Sequence, residues 1–173
     1  MQIYESVIFS KEECLKIIDY THSNITPKKV INGKGVSYDY FKILHNTDIA
    51  WLFKKMYDEF SKITKIEIID YTSELSLNQY QVGNLFSKHI DRNQIHSNRV
   101  WNIGIVLNDD YTGGDYNYYI DGVKHTFKKE IGNFIVYESS LPHEITEITS
   151  GVRMAIVKIL DIDILKYTKH GLI

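Results

Sequence analysis

From residue 65 onward, no stretch of this chain keeps a helical period. Apolar and aromatic residues come in short runs cut by turn signals. Strand-like runs fall at about 65–72, 75–82, 99–107, 115–120, 123–127, 131–138, 142–147 and 152–160. The breaks are Gly83-Asn84, the run from Asn108 to Gly114, Asp121-Gly122, Gly132-Asn133 and Ser150-Gly151. Asp-Gly between two strand-like runs is a hairpin signal, because both positions of the tight turn need positive φ. With no helical pattern in between, parallel βαβ units are not expected. The expectation is a mostly β fold, a double-stranded β-helix (jelly roll) with two supporting N-terminal helices.

The helices come first. Ser10-x-x-Glu13 has the spacing of a capping box, and Cys14, Ile17 and Ile18 recur at helical spacing, so a helix is expected over about 11–22. A second is expected to start near Asp48, with Ile49, Leu52, Phe53, Met56, Phe60 and Ile63 as its apolar stripe. Both stripes, Cys14 included, are read as core packing. One domain is expected over 1–173, with helical support at about 10–63 and the jelly-roll core at about 65–160.

A chain of 173 residues buries roughly 70% of its unfolded surface and needs no disulfide staples. Cys14 is the single cysteine, which excludes an internal disulfide and a multi-cysteine zinc site. A formal charge of −2 gives no case for nucleic-acid or membrane binding. No apolar run approaches the ~20 residues of a membrane span, and the opening segment lacks the pattern of a secretory leader. A cytoplasmic setting is expected.

Chemistry concentrates in four residues. His89-x-Asp91 sits at the end of a strand-like run, where residues i and i+2 point the same way. His143 follows Pro142 about fifty residues later, and Arg153 comes ten residues after that. Two imidazoles and a carboxylate can hold a divalent iron on one face and leave three positions open. Arg153 shares a strand face with Ala155, Val157 and Ile159, while Val152, Met154 and Ile156 make the other face apolar. A guanidinium inside such a strand is costly unless paired, either with an internal carboxylate or with a carboxylate-bearing ligand. His22, His45, His125 and His170 are read as surface or core residues, and His96 as part of a polar loop over 92–98.

The ordered series from Tyr80 to Leu160 resembles the catalytic core of the 2-oxoglutarate- and iron-dependent dioxygenases, in particular their prolyl 4-hydroxylase-like branch. The motifs that carry it are YQVGNLFSKHID, RVWNIGIVLNDDYTGG and LPHEITEITSGVR. The resemblance implies Fe(II), 2-oxoglutarate and O2. It implies His89, Asp91 and His143 as metal ligands and catalytic residues, and Arg153 and the Tyr80 hydroxyl on the 5-carboxylate of 2-oxoglutarate. Asn102 would line the co-substrate pocket. The reaction implied is hydroxylation of an unactivated C–H bond, coupled to decarboxylation of 2-oxoglutarate to succinate. The carboxylate of Asp91 favours hydroxylation over the halogenation carried out by relatives that lack it.

The chain departs from the branch in three places. Phe86 stands where the peptide hydroxylases often have tyrosine, Arg153 where they often have lysine, and Met154 and Ile159 where a tryptophan follows. The expected substrate is a prolyl or other residue in a peptide or protein, with a free amino acid or small metabolite as the alternative. Tyr111, Tyr116, Tyr118 and Tyr119, with the loop over 92–98, are expected to flank the mouth. Lys88, Arg92 and Arg99 are the cations near the metal segment. Two other classes stand beside this reading: a non-catalytic jelly-roll ligand-binding module, and a jelly-roll metalloenzyme that needs no 2-oxoglutarate.

Overall fold

The structure, a computed structural model, describes residues 1–32, 36–71 and 74–167. Strand β1 (Ile3–Val7) leads into helix α1 (Lys11–Asn24). The capping box is formed: the Glu13 N–H donates to Ser10 Oγ at 3.1 Å, and the Ser10 N–H donates to the Glu13 carboxylate at 2.7 Å. Strands β2 (Lys28–Asn32) and β3 (Val36–Ile43) precede α2 (Ala50–Thr64) and β4 (Ile66–Ile68). Then come β5 (Leu75–Tyr80), β6 (Phe86–His89), β7 (Arg99–Val106), β8 (Thr112–Gly113), β9 (Tyr116–Ile120) and β10 (Val123–Thr126). Strands β11 (Asn133–Glu138), β12 (His143–Ile145), β13 (Ile148–Ser150), β14 (Arg153–Asp161) and β15 (Leu165–Tyr167) complete the chain. Asp121 and Gly122 have φ of 50° and 80° between β9 and β10, the two-residue turn expected from their sequence.

All eight expected strands are present. The boundary placed at residue 65 is corrected, however: β1, β2 and β3 lie before it and belong to the main sheet. The run expected over 65–72 forms a strand only at Ile66–Ile68, and Thr72 and His170 lie outside the described residues. Eleven strands make one antiparallel sheet in the order β1-β11-β7-β14-β5-β3-β6-β12-β9-β10, with β2 added on β3. Between β3 and β6 the ladder narrows to the single pair Val36–Phe86. Beyond it the sheet turns back over itself. Tyr116 on β9 comes to lie against Gly104 on β7, where an added Cβ would stand 4.0 Å from the ring. The Tyr116 hydroxyl meets that of Tyr137 on β11. That closure of one curled sheet into two facing layers is the expected jelly roll.

Strand alternation divides the molecule. Leu75 and Leu77 of β5, Ile103 and Ile105 of β7, Phe134 and Val136 of β11, and Ile156 and Leu160 of β14 pack with Leu52, Phe53, Met56 and Phe60 of α2 and Cys14 and Ile17 of α1. The intervening residues point between the layers. Among the described residues no helix is long and apolar enough to cross a membrane.

Candidate active site

A cavity of about 410 Å³ opens between the layers. His89 and His143 are register partners on the antiparallel pair β6–β12, which places their rings side by side with centroids 4.2 Å apart. Asp91 lies just beyond β6, where its own N–H and that of Arg92 donate to the Ser139 carbonyl at 3.1 and 2.8 Å. The carboxylate therefore turns back to the histidines: Asp91 Oδ1 is 3.6 Å from His89 Nε2, and Oδ2 is 3.4 Å from His143 Nε2. One ligating atom from each of the three lies within 4.8 Å of the others. His96 is not part of this group.

Both imidazoles are held in one tautomer. His89 Nδ1 donates to the Ser87 carbonyl at 2.8 Å, and His143 Nδ1 donates to the Leu141 carbonyl at 2.9 Å. A carbonyl can only accept, so the proton is on Nδ1 and the Nε2 lone pair points into the cavity. Phe86 stacks on the His89 ring at 3.9 Å and fixes its plane. Burial, reinforced by His89 and partly opposed by Asp91, holds the His143 imidazole below its ordinary value, so it stays neutral. Burial pushes the Asp91 carboxyl up, but His89 and His143, which in their protonated forms attract and hydrogen-bond it, and the Asn102 amide outweigh burial, and the carboxyl ends below its ordinary value. Two imidazoles with their Nε2 atoms turned inward and one ionised carboxylate make a donor set suited to a ferrous ion.

The second constellation stands across the other layer. Arg153 and Tyr80 are register partners on β14 and β5. The guanidinium carbon is 5.3 Å from the Tyr80 ring centre and 5.7 Å from that of Tyr116, and the Tyr111 hydroxyl, an acceptor for guanidinium N–H groups, lies nearby. Arg153 is only 4% exposed, and its Nε has no hydrogen-bond partner. Among the described residues no carboxylate pairs with it. The internal-carboxylate explanation of a buried arginine therefore fails, and a group that brings its own carboxylate fits. Gly114, at φ 63°, lies against the Arg153 stem, where a Cβ would come within 3.1 Å of Cδ.

The remaining residues singled out in the sequence take up varied positions. Asn102, on the cavity side of β7, is 1% exposed, and its Nδ2 donates to Asp91 Oδ2. The four mouth tyrosines separate: Tyr111 is buried, Tyr116 is hydrogen-bonded inside, Tyr118 stacks on His125, and Tyr119 lies under the Lys88 ammonium. Arg99 does line the cavity and donates to the Asp91 carbonyl at 3.5 Å. His22 and His45 pack on Phe41 and Phe53. Tyr38 and Tyr40, unnoticed in sequence, line the cavity from β3. Ser139, equally unnoticed, carries no local motif; only its contacts reveal it.

Residues 75–161, about half of the chain, match the sequence profile of the 2OG-Fe(II) oxygenase superfamily. The chain belongs to that family, whose members take Fe(II), 2-oxoglutarate and O2. It is 27% identical over 89 residues to a PKHD-type hydroxylase of Rippkaea orientalis, an overlap that covers 48% of this chain and 40% of that protein. A prolyl-4-hydroxylase of Pseudomonas putida shares the fold with a TM-score of 0.72 at 15% identity, over 92% of each chain. So does a prolyl hydroxylase of Trichoplax adhaerens, solved with a peptide fragment of a hypoxia inducible factor (TM-score 0.71, 15% identity, 94% of this chain and 83% of that one).

Proposed function

We propose that this protein is a 2-oxoglutarate- and Fe(II)-dependent hydroxylase acting on a prolyl or other residue of a peptide or protein. The observation that carries the reading is a pair of incomplete sites facing one cavity: a His-Asp-His cluster, and a buried arginine that no carboxylate among the described residues pairs with. His89, Asp91 and His143 would hold the iron. Arg153 and the Tyr80 hydroxyl would hold the 5-carboxylate of 2-oxoglutarate. Bound there, Fe(II) and 2-oxoglutarate supply the activation of O2 that lets one oxygen atom enter a C–H bond, with succinate and CO2 as the co-products.

The protein's part is positioning. The Nδ1–H bonds keep both ε nitrogens aimed inward. The guanidinium can meet a carboxylate through two parallel bonds, which sets orientation as well as affinity. Burial raises the Tyr80 phenol well above its ordinary value, so it stays protonated and donates. The apolar wall of Val106, Ile135, Ile145 and Ala155 keeps water from the reacting centre.

A peptide substrate is supported by the likeness to prolyl hydroxylases and by Tyr38 and Tyr40, whose flat rings line the cavity. The single, buried Cys14 supports a cytoplasmic setting. The test is succinate release against a panel of proline-containing peptides and free amino acids. Release with a peptide is expected. Release with a free amino acid alone would replace the peptide by a small metabolite, and failure to bind 2-oxoglutarate in the presence of Fe(II) would remove the class.

A further inference from the structure

Asp91 is held by more than its backbone. Ser139 is fully buried and acts on it twice. Its carbonyl accepts the N–H groups of Asp91 and Arg92, and its hydroxyl donates to Asn102 Oδ1 at 2.7 Å. With Oδ1 taken, the amide Nδ2 of Asn102 faces Asp91 Oδ2 and donates to it. The same amide lies beside the hydroxyl of Tyr137, which is in turn bonded to that of Tyr116. Turning the amide over would set its carbonyl oxygen against the carboxylate, so the donor-acceptor pattern leaves one orientation. Ser139, Asn102 and Asp91 come from three separate parts of the chain: the turn after β11, the middle of β7 and the end of β6.

We propose that Asn102 is a positioning residue for the metal: locked by Ser139, it ties one oxygen of Asp91 so that the carboxylate stands ready for the ion beside His89 and His143. The inference rests on the functional reading above and deepens it. An aspartate at the end of a strand has free rotation about its side-chain bonds. A ligand already held in its binding rotamer does not lose that freedom when the ion arrives. A donor on one carboxylate oxygen also leaves the other as the better ligand, which favours attachment through one atom and keeps positions open for a chelating co-substrate.

The experiment titrates the metal-free protein with Co(II), without 2-oxoglutarate, and follows both affinity and the visible Co(II) absorption. Asn102→Ala is expected to weaken Co(II) binding by about 10–100-fold, the usual effect of losing a partner behind a metal ligand. The Co(II) spectrum should change with it, whereas a role in folding alone would leave the spectrum of the bound ion as it is. Ser139→Ala keeps the amide but removes its lock, so it should weaken binding by a smaller factor in the same direction. It also carries the test should Asn102→Ala fail to fold. Asn102→Ser, which keeps a hydroxyl donor, should recover part of the loss. Native affinity and an unchanged spectrum in folded Asn102→Ala overturn the proposal, as does native behaviour of Ser139→Ala if Asn102→Ala does not fold. If the unaltered protein binds no Co(II), the metal site itself falls and this proposal falls with it. Native binding with indifferent variants removes only the positioning role.

Discussion

On β5, β7, β11 and β14 neighbouring residues obey opposite rules. The side that meets the helices is closed and apolar: Leu77, Ile103, Phe134 and Ile156 are all buried with no polar group among them. The side that meets the cavity carries Asn78, Tyr80, Asn102, Tyr137 and Arg153 on the same strands. Two of its buried polar atoms, Asn78 Oδ1 and Arg153 Nε, have no partner. Buried groups of this kind are normally satisfied, because leaving one bare costs about 1–3 kcal/mol. The helix side therefore supplies stability, and the cavity side gives some of it up to keep groups free for a ligand.

The sharpest way to separate the two sides is Arg153→Met, which keeps volume and removes charge. The 2-oxoglutarate requirement in a succinate-release assay should rise by roughly a hundredfold, within the ~2–5 kcal/mol typical of removing one partner of a buried charge pair. The melting temperature of the metal-free protein should hold or rise, since an apolar group replaces an uncompensated charge. A large loss of stability would show that Arg153 is a structural residue after all.

The mirror experiment is Leu77→Ala on the helix side. A fully buried leucine leaves a cavity, and urea unfolding should report a loss of about 2–5 kcal/mol. Co-substrate affinity of the folded protein should stay as it was. If it fell together with stability, the two sides would not be separable.

Gly114→Ala addresses the seam between them. The left-handed φ of 63° and a Cβ only 2.3 Å from Ile148 Cδ1 should cost about 1–3 kcal/mol in stability. Pressure on the Arg153 stem, 3.1 Å from that Cβ, should also weaken 2-oxoglutarate binding. An unaltered binding isotherm would separate Gly114 from the site.

The smallest expected effect concerns pH. The imidazole of His143 is depressed in the folded metal-free protein, so the unfolded chain, with its histidine near the reference value of ~6.5, takes up the proton first as pH falls. Stability should be insensitive to this group above ~6.5 and decline below it. Replacing His143 by Gln, a neutral side chain, should flatten that part of the stability profile. An identical slope in the variant would assign the decline to other groups.

Local physics made part of this protein legible in its sequence. The capping box at Ser10 and Glu13, the apolar stripe of α2 and the turn at Asp121-Gly122 all follow from rules that act over a few residues, and all are found. The long strands β7, β11 and β14 announced themselves by apolar runs. Strand β2, of sequence KKVIN, and β6, of sequence FSKH, are too short and polar to do so. They form because partners elsewhere in the chain complete their ladders.

The same division runs through the site. The residue types and their order pointed to His89, Asp91, His143 and Arg153. That His89 faces His143 across one ladder and Tyr80 faces Arg153 across another was decided by strand register, which joins positions some fifty and seventy residues apart. Asn102 shows the limit most clearly. Its identity and place on β7 were plain, yet only the folded chain brings Ser139 to one end of the amide and Asp91 to the other. A hydrogen bond depends on where its partners stand in space, and the order of residues along a chain does not contain that distance until the sheet has closed.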